Sequence, residues 1–424
     1  MFLVVYTLCN ELAARRTDVG TWVYAWERHI PFVPWMVWPY LSIDLFFVAA
    51  PFLCGDRREL RNLTRRMVAA TLIAGAFFLL MPLRFAFDRP PVDGFTGAVF
   101  DAFRGMDKPF NLFPSLHIAF RTILAELYWR HTRGPLRWAL AAWFSAVGLS
   151  TLLVWQHHVI DVAGGFTLGA LCFYFIGDAP WRTPAGRNPR VATYYATAAA
   201  AMAVIAILIG GPAWLLMWPA VACATMTCAY LGLGPAVYRK HAGRLPWATR
   251  AVLGPVLLGQ WLSWRHYARR SPPWSELTPR LWIGRLLSPR EAAEARAAGV
   301  VAVVDLTCEF QTPGPFRDLP HLSLPTLDLT APPPATLAAA LAFIAEHAGR
   351  GIVYVHCKAG YSRTAAVAGA HLLHARTVAT PAEAIERLIA ARPGMVIRPE
   401  ARRAIESFAS VPILPAEPNG DAHA

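Results

Sequence analysis

Long apolar runs dominate the first 235 residues and restrict the solvent in which this part of the chain can fold. About 20 residues of helix cross a hydrocarbon core of about 30 Å. Runs of that order lie near 31–54, 67–84, 112–129, 136–155, 159–177, 192–210 and 212–233, after a shorter apolar start at Met1–Leu12. Backbone N–H and C=O groups find no water inside a bilayer, so such runs must be helical. The chain is 55% hydrophobic and only 16% charged, where soluble domains carry about a quarter. The expected first domain is a polytopic all-α membrane domain over residues 1–235, with about six to eight transmembrane helices. Met1–Leu12 has no basic leader and reads as a short or truncated span, not as a cleavable signal.

The net charge of +13 raises the question of nucleic acid, but the cations form no single patch. They sit in short connections at 55–66, 130–137, 178–190 and 238–250, alternating with nearly balanced ones at 11–30, 84–110 and 156–161. By the positive-inside rule the first group is cytoplasmic and the second faces outward. The partners expected are a lipid bilayer, of the bacterial inner-membrane kind, and anionic phosphorylated lipids; nucleic acid is not expected. Cys9, Cys54, Cys172, Cys223, Cys228, Cys308 and Cys357 include no CxxC pair, which argues against a disulfide framework and a zinc site. No metal or cofactor is expected.

Residues 236–274 read as a basic interfacial helix and linker, with AVLGPVLLGQWLSW (251–264) too short for an easy span. From 275 to 411 the pattern becomes strand–helix: LWIG, EAAEARAAG, VVAVVDL, HLSLPTLDL, TLAAALAFIAEHAG and IVYV, then helices near 363–375, 381–391 and 399–409. That order predicts an α/β domain with a central, largely parallel sheet. Residues 412–424 read as a disordered tail.

Within the α/β segment, HCKAGYSRT (356–364) joins a buried strand to a helix. Such a joint aims backbone N–H groups, here of Lys358, Ala359, Gly360, Tyr361 and Ser362, at a bound phosphate. The same field favours a thiolate at Cys357, and the planar fork of Arg363 can grip two phosphoryl oxygens. The C-x5-R spacing resembles the protein tyrosine phosphatase superfamily, in its dual-specificity branch. With LPTLDLTAP and GMVIRPEA the segment is most similar to the mitochondrial subgroup that dephosphorylates phosphatidylglycerophosphate. The resemblance implies Cys357 as nucleophile, Arg363 as phosphate ligand and Thr364 as helper of thiolate departure. It also implies that His356 tunes the cysteine and that Asp328 is the general acid, with Asp305 its rival. Tyr361 stands where that subgroup often has a basic residue.

Three outward elements converge: LRFAFDRPP (83–91), FPSLHIAF (113–120) and STLLVWQHHVIDVAGG (150–165). Histidines beside a bilayer need a reason. On a helix, His157 and Asp161 share a face, so the carboxylate can orient the imidazole. His158, three residues from Asp161, reads as structural. PSLH and the H-x3-D pair resemble the type 2 phosphatidic acid phosphatase superfamily over about 30–180. That resemblance implies attack by His157, orientation by Asp161, general acid catalysis by His117, and phosphate binding by Ser115 and Arg89. Pro82 replaces the lysine of the superfamily's first motif, where Arg84 could substitute, and Thr151 replaces an arginine. Those departures resemble the branch of inositol phosphorylceramide and sphingomyelin synthases, which transfer a headgroup to an alcohol. The sequence therefore points to a membrane-bound phosphatase of lipid phosphates with two phosphate-transfer sites. The alternatives are a headgroup transferase in the membrane half, or an inert anchor for an enzyme acting on phosphoproteins.

Overall fold

The computed structural model describes residues 1–106, 110–177, 181 and 186–409. The expected tail at 412–424 lies outside them. The chain divides into two compact units, Met1–Asp178 and Ala179–Ala424. The sequence reading puts the first domain's end at 235; contacts instead group the apolar helices after 178 with the α/β domain.

The first unit is helical: α1 (Phe2–Ala14), α2 (Val37–Leu53), α3 (Arg57–Leu80), α4 (Gly94–Met106), α5 (Leu116–His131), α6 (Gly134–Leu153) and α7 (Val159–Phe175). The basic stretch 57–66, read as a connection, is helical. Asp56 caps α3 by accepting from the Glu59 N–H at 2.7 Å, and arginine and glutamate are good helix formers once a start is fixed. Helix α4 was not anticipated. Phe78, Ile123, Leu124, Phe144 and Leu168 build the core. At Gly165 a Cβ would lie 2.3 Å from the Ser115 carbonyl oxygen. Absence of a side chain there lets α7 press against the start of α5.

The second unit opens with α8 (Pro189–Ile209), α9 (Met217–Cys228), α10 (Trp247–Val252) and α11 (Gly254–Ala268). Five helical segments among the described residues are long and apolar enough to cross a membrane: 34–53, 57–80, 134–153, 189–209 and 211–238. The runs near 112–129 and 159–177 give shorter helices. Ser115 caps α5 and starts it at Leu116, and α7 begins only after the His157–His158 turn.

The α/β domain holds β1 (Trp274–Thr278), β2 (Leu281–Arg285), α12 (Pro289–Ala297), β3 (Val300–Thr307), β4 (His321–Thr326), α13 (Pro334–Ala348), β5 (Ile352–Cys357), α14 (Ser362–His374), α15 (Pro381–Ala391) and α16 (Pro399–Ala409). Sheet order is β1-β2-β5-β3-β4; β2, β5, β3 and β4 run parallel, and the unanticipated edge strand β1 is antiparallel. Leu281, Ile283, Val304, Val353 and Val355 pack against α13–α16 on one face, and Val300, Val303 and Tyr354 against α12 on the other. With both faces covered, the strands read as continuous apolar runs, and β5 delivers Cys357 at its carboxyl end.

Candidate active sites

In the first unit the expected outward connections do meet. Gly20 pairs with Pro82 and Arg84 through the backbone, and the Ser115 N–H donates to the Asp161 carbonyl at 3.0 Å. Trp155 takes a left-handed φ of 55°, and this turn places His157 ahead of α7. The two residues therefore do not share a helix. His157 Nδ1 nevertheless lies 3.7 Å from Asp161 Oδ2, which is beyond a good hydrogen bond. That oxygen accepts from the His158 N–H at 2.8 Å and so caps α7. The His117 ring stacks on Tyr40 with centroids 4.2 Å apart. Neither His157 Nδ1 nor His117 Nε2 has a hydrogen-bond partner among the described residues.

Arg89 donates to the Trp155 carbonyl at 2.7 Å and to Gln156 Oε1 at 3.0 Å, against the turn that carries His157. Ser115 is buried and its hydroxyl caps α5 through the Ile118 N–H. The Arg84 side chain is exposed. His158 is locked: Nε2 accepts from the Ala86 N–H at 3.1 Å, so Nδ1 carries the proton that it donates to Glu27 Oε2 at 3.0 Å. Glu27, buried, also accepts from the backbone of Tyr24 and Val159. Sequence reading missed it, since an acid among aromatic residues gives no spacing signal.

In the second unit Cys357 is 3% exposed at the end of β5, and Ser362 begins α14. Gly360 has φ +70°, and a Cβ there would lie 2.5 Å from the Gly284 carbonyl carbon, so the loop closes only with glycine. Ser362 Oγ donates to the Val396 carbonyl and accepts from the Arg398 N–H, tying the loop to the segment before α16. Thr364 is fully buried and its hydroxyl has no partner among the described residues. Tyr361 makes an edge contact with Tyr267 of α11.

Arg363 is held by a residue the sequence did not single out. Glu309 Oε1 accepts from Nη2 at 2.7 Å and Oε2 from Nη1 at 3.2 Å, while the Thr326 and Leu306 carbonyls accept from Nη1 at 2.8 and 3.3 Å. Arg363 Nε has no partner among the described residues. Asp328 stands beside this fork, 3.5 Å from Arg363 Nη2 and 2.7 Å from Lys358 Nζ. Burial raises the Asp328 carboxyl, but the Arg363 and Lys358 charges outweigh it and hold it at about 2.

Asp305 is fully buried beneath the site. It accepts from Lys240 Nζ at 2.7 Å and from the Thr307 N–H and hydroxyl, so the rival acid is consumed by a buried ion pair. His356 Nε2 lies 3.9 Å from Asp305 Oδ1. Burial pushes His356 down to about 4, against the pull of Asp305. An unfolded imidazole near 6.5 binds a proton that the folded one refuses until about 4, so stability is whole above pH 6.5 and falls as pH drops toward 4. The expected loss is about 3 kcal/mol. Melting curves at pH 7.5 and 4.0 check it, and His356→Asn should flatten the slope.

Residues 16–175 match the family described as PAP2 superfamily, and residues 289–409 match the dual specificity phosphatase catalytic domain. The chain is similar to phosphatidylglycerophosphate phosphatase PTPMT2 of Arabidopsis thaliana, 30% identical over 142 residues, covering 32% of this chain and 62% of that protein. It is also similar to phosphatidylglycerophosphatase and protein-tyrosine phosphatase 1 of Mus musculus, 37% identical over 90 residues, covering 21% and 46%. It thus spans less than two thirds of either relative. The crystal structure of PTPMT1 aligns over 32% of this chain and 93% of that one, at 26% identity and a TM-score of 0.29. Two segments in tandem therefore match phosphatase family models, PAP2 superfamily at 16–175 and dual specificity phosphatase at 289–409.

Proposed function

We propose that the protein is a membrane-bound phosphoric monoester hydrolase acting on lipid phosphates through two sites. The observation that carries this is the thiolate site: Cys357 at a strand end, a fixed Arg363 fork and Asp328 at its side. Cys357 Sγ attacks phosphorus, the P–O bond breaks, and the departing alkoxide takes a proton from Asp328. Water, deprotonated by Asp328, then attacks the cysteinyl phosphate and releases the thiolate, with the Thr364 hydroxyl beside it. In the free site Lys358 and Arg363 keep Asp328 ionised; a bound phosphate dianion offsets those charges and lets the carboxyl hold the proton it delivers.

In the membrane half, His157 attacks phosphorus and His117 protonates the leaving oxygen, with Asp161 near Nδ1. His117 Nε2 is unpartnered among the described residues and so free to donate to a leaving oxygen; water then attacks the phosphohistidine, releasing phosphate and restoring His157. A second reading, headgroup transfer to an alcohol, draws on Thr151 and Pro82 standing where hydrolytic relatives have cations. The positive-inside rule applied to the basic connections supports a cytoplasmic thiolate unit and a histidine site on the outer face of a bacterial-type inner membrane.

A panel of lipid phosphates with wild type, His157→Ala and Cys357→Ser tests this. Each variant should lose about a thousandfold or more on its own site's substrates and little on the other's. Cys357→Ser retaining activity on every monoester would remove the thiolate reading. Intact total activity in His157→Ala would leave the membrane half an anchor, and product phosphorylated on an added lipid alcohol would mark transfer.

A further inference from the structure

The wall of the thiolate site facing α11 is built by residues outside the matched phosphatase segment. Gln260 Oε1 on α11 accepts from Lys358 Nζ at 2.8 Å, and Lys358 Nζ reaches Asp328 Oδ2 at 2.7 Å. Tyr195 of α8 stacks on Tyr230 with centroids 5.8 Å apart. The Tyr230 hydroxyl donates to the Asp328 carbonyl at 3.0 Å. Along α11, Trp264 donates to the Leu286 carbonyl and Tyr267 meets Tyr361. Gln260, Trp264 and Tyr267 thus form one face against the phosphate loop, while Leu258, Trp261 and Leu262 on the other are exposed.

We propose that Gln260 is a positioning residue for the general acid: shared between Gln260 and Asp328, the Lys358 ammonium is held at a set distance from the carboxylate that protonates the leaving oxygen. This deepens the thiolate reading and rests on it. Lys358 is buried, with 6% exposure, and its two side-chain partners compete for one charge. Gln260 supplies a neutral acceptor, so it fixes the ammonium without adding charge beside Asp328. The other groups that act on the carboxyl are Arg363 at 3.5 Å, Glu309, which interacts electrostatically with both Asp328 and Lys358, and Tyr195 and Tyr230, which interact electrostatically with Asp328.

Substitutions at 260 therefore move the acid in opposite directions. Gln260→Glu, nearly isosteric, draws the ammonium away and adds negative potential, so Asp328 keeps its proton to higher pH. Gln260→Leu leaves Asp328 as the ammonium's side-chain partner, so the proton is lost at lower pH. The test measures the single-turnover rate of cysteinyl-phosphate formation against pH, at saturating substrate, for the full-length protein in mixed micelles, using a long-chain alkyl phosphate and 4-nitrophenyl phosphate. The basic limb for the alkyl phosphate should rise by about 0.5–1 pH unit in Gln260→Glu and fall similarly in Gln260→Leu. Cysteinyl-phosphate formation from 4-nitrophenyl phosphate, whose leaving group needs no proton, should change by less than about twofold. Limbs that stay put or move together, in an enzyme still dependent on Cys357, overturn the proposal alone. Activity surviving Cys357→Ser would remove the site beneath it as well.

Discussion

Glu309→Gln is expected to lower kcat/KM at the thiolate site by about a hundredfold and to destabilise the second unit by about 3–5 kcal/mol. The Glu309 carboxylate accepts two bonds from Arg363 and others from the Cys308 N–H and thiol. Burial alone would raise its pKa, but Arg363 outweighs this and keeps it ionised. An amide of the same shape accepts through one oxygen and turns donors toward the guanidinium. That leaves a fully buried cation with half its counter-charge, and it frees the fork to rotate. Since the two phosphoryl contacts depend on the fork's plane, turnover should fall along with stability. Kinetics with a monoester and thermal unfolding in micelles read the two effects. A variant as stable and active as wild type would show that the Thr326 and Leu306 carbonyls suffice to hold Arg363.

Lys240→Met should carry a comparable penalty, about 3–5 kcal/mol, because it strands the fully buried Asp305 carboxylate without its counter-ion. Burial would raise that carboxyl, but Lys240 and His356 hold it well below its usual range. The pair's stabilisation is therefore complete at neutral pH and is lost only in strong acid. A fragment covering 275–409 lacks Lys240 and should melt well below the same domain in the whole chain. Lys240→Met combined with Asp305→Asn removes the stranded charge and should regain most of the loss, which a double-mutant cycle quantifies. If the fragment and the whole chain melted together, the linker would be a tether and no more.

The sequence by itself determined the local joints. A buried run ending in HCKAGYSRT states a strand, a phosphate-sized loop and a helix within a dozen residues, and α15 and α16 fall where their periodicity placed them. PSLH and H-x3-D meet because Ser115 and Asp161 pair where the connections converge. Such features are legible because backbone conformation and side-chain spacing act over one or two turns. Tertiary structure alone decided which charges are partners. Glu309 holds Arg363 across 54 residues, Lys240 reaches Asp305 across 65, and Glu27 locks His158 across 131. No periodicity links such positions; each pair forms because burial removes water and leaves the charges only one another. Tertiary structure likewise decided that α8, α9 and α11 belong to the second unit, where Gln260 meets Lys358.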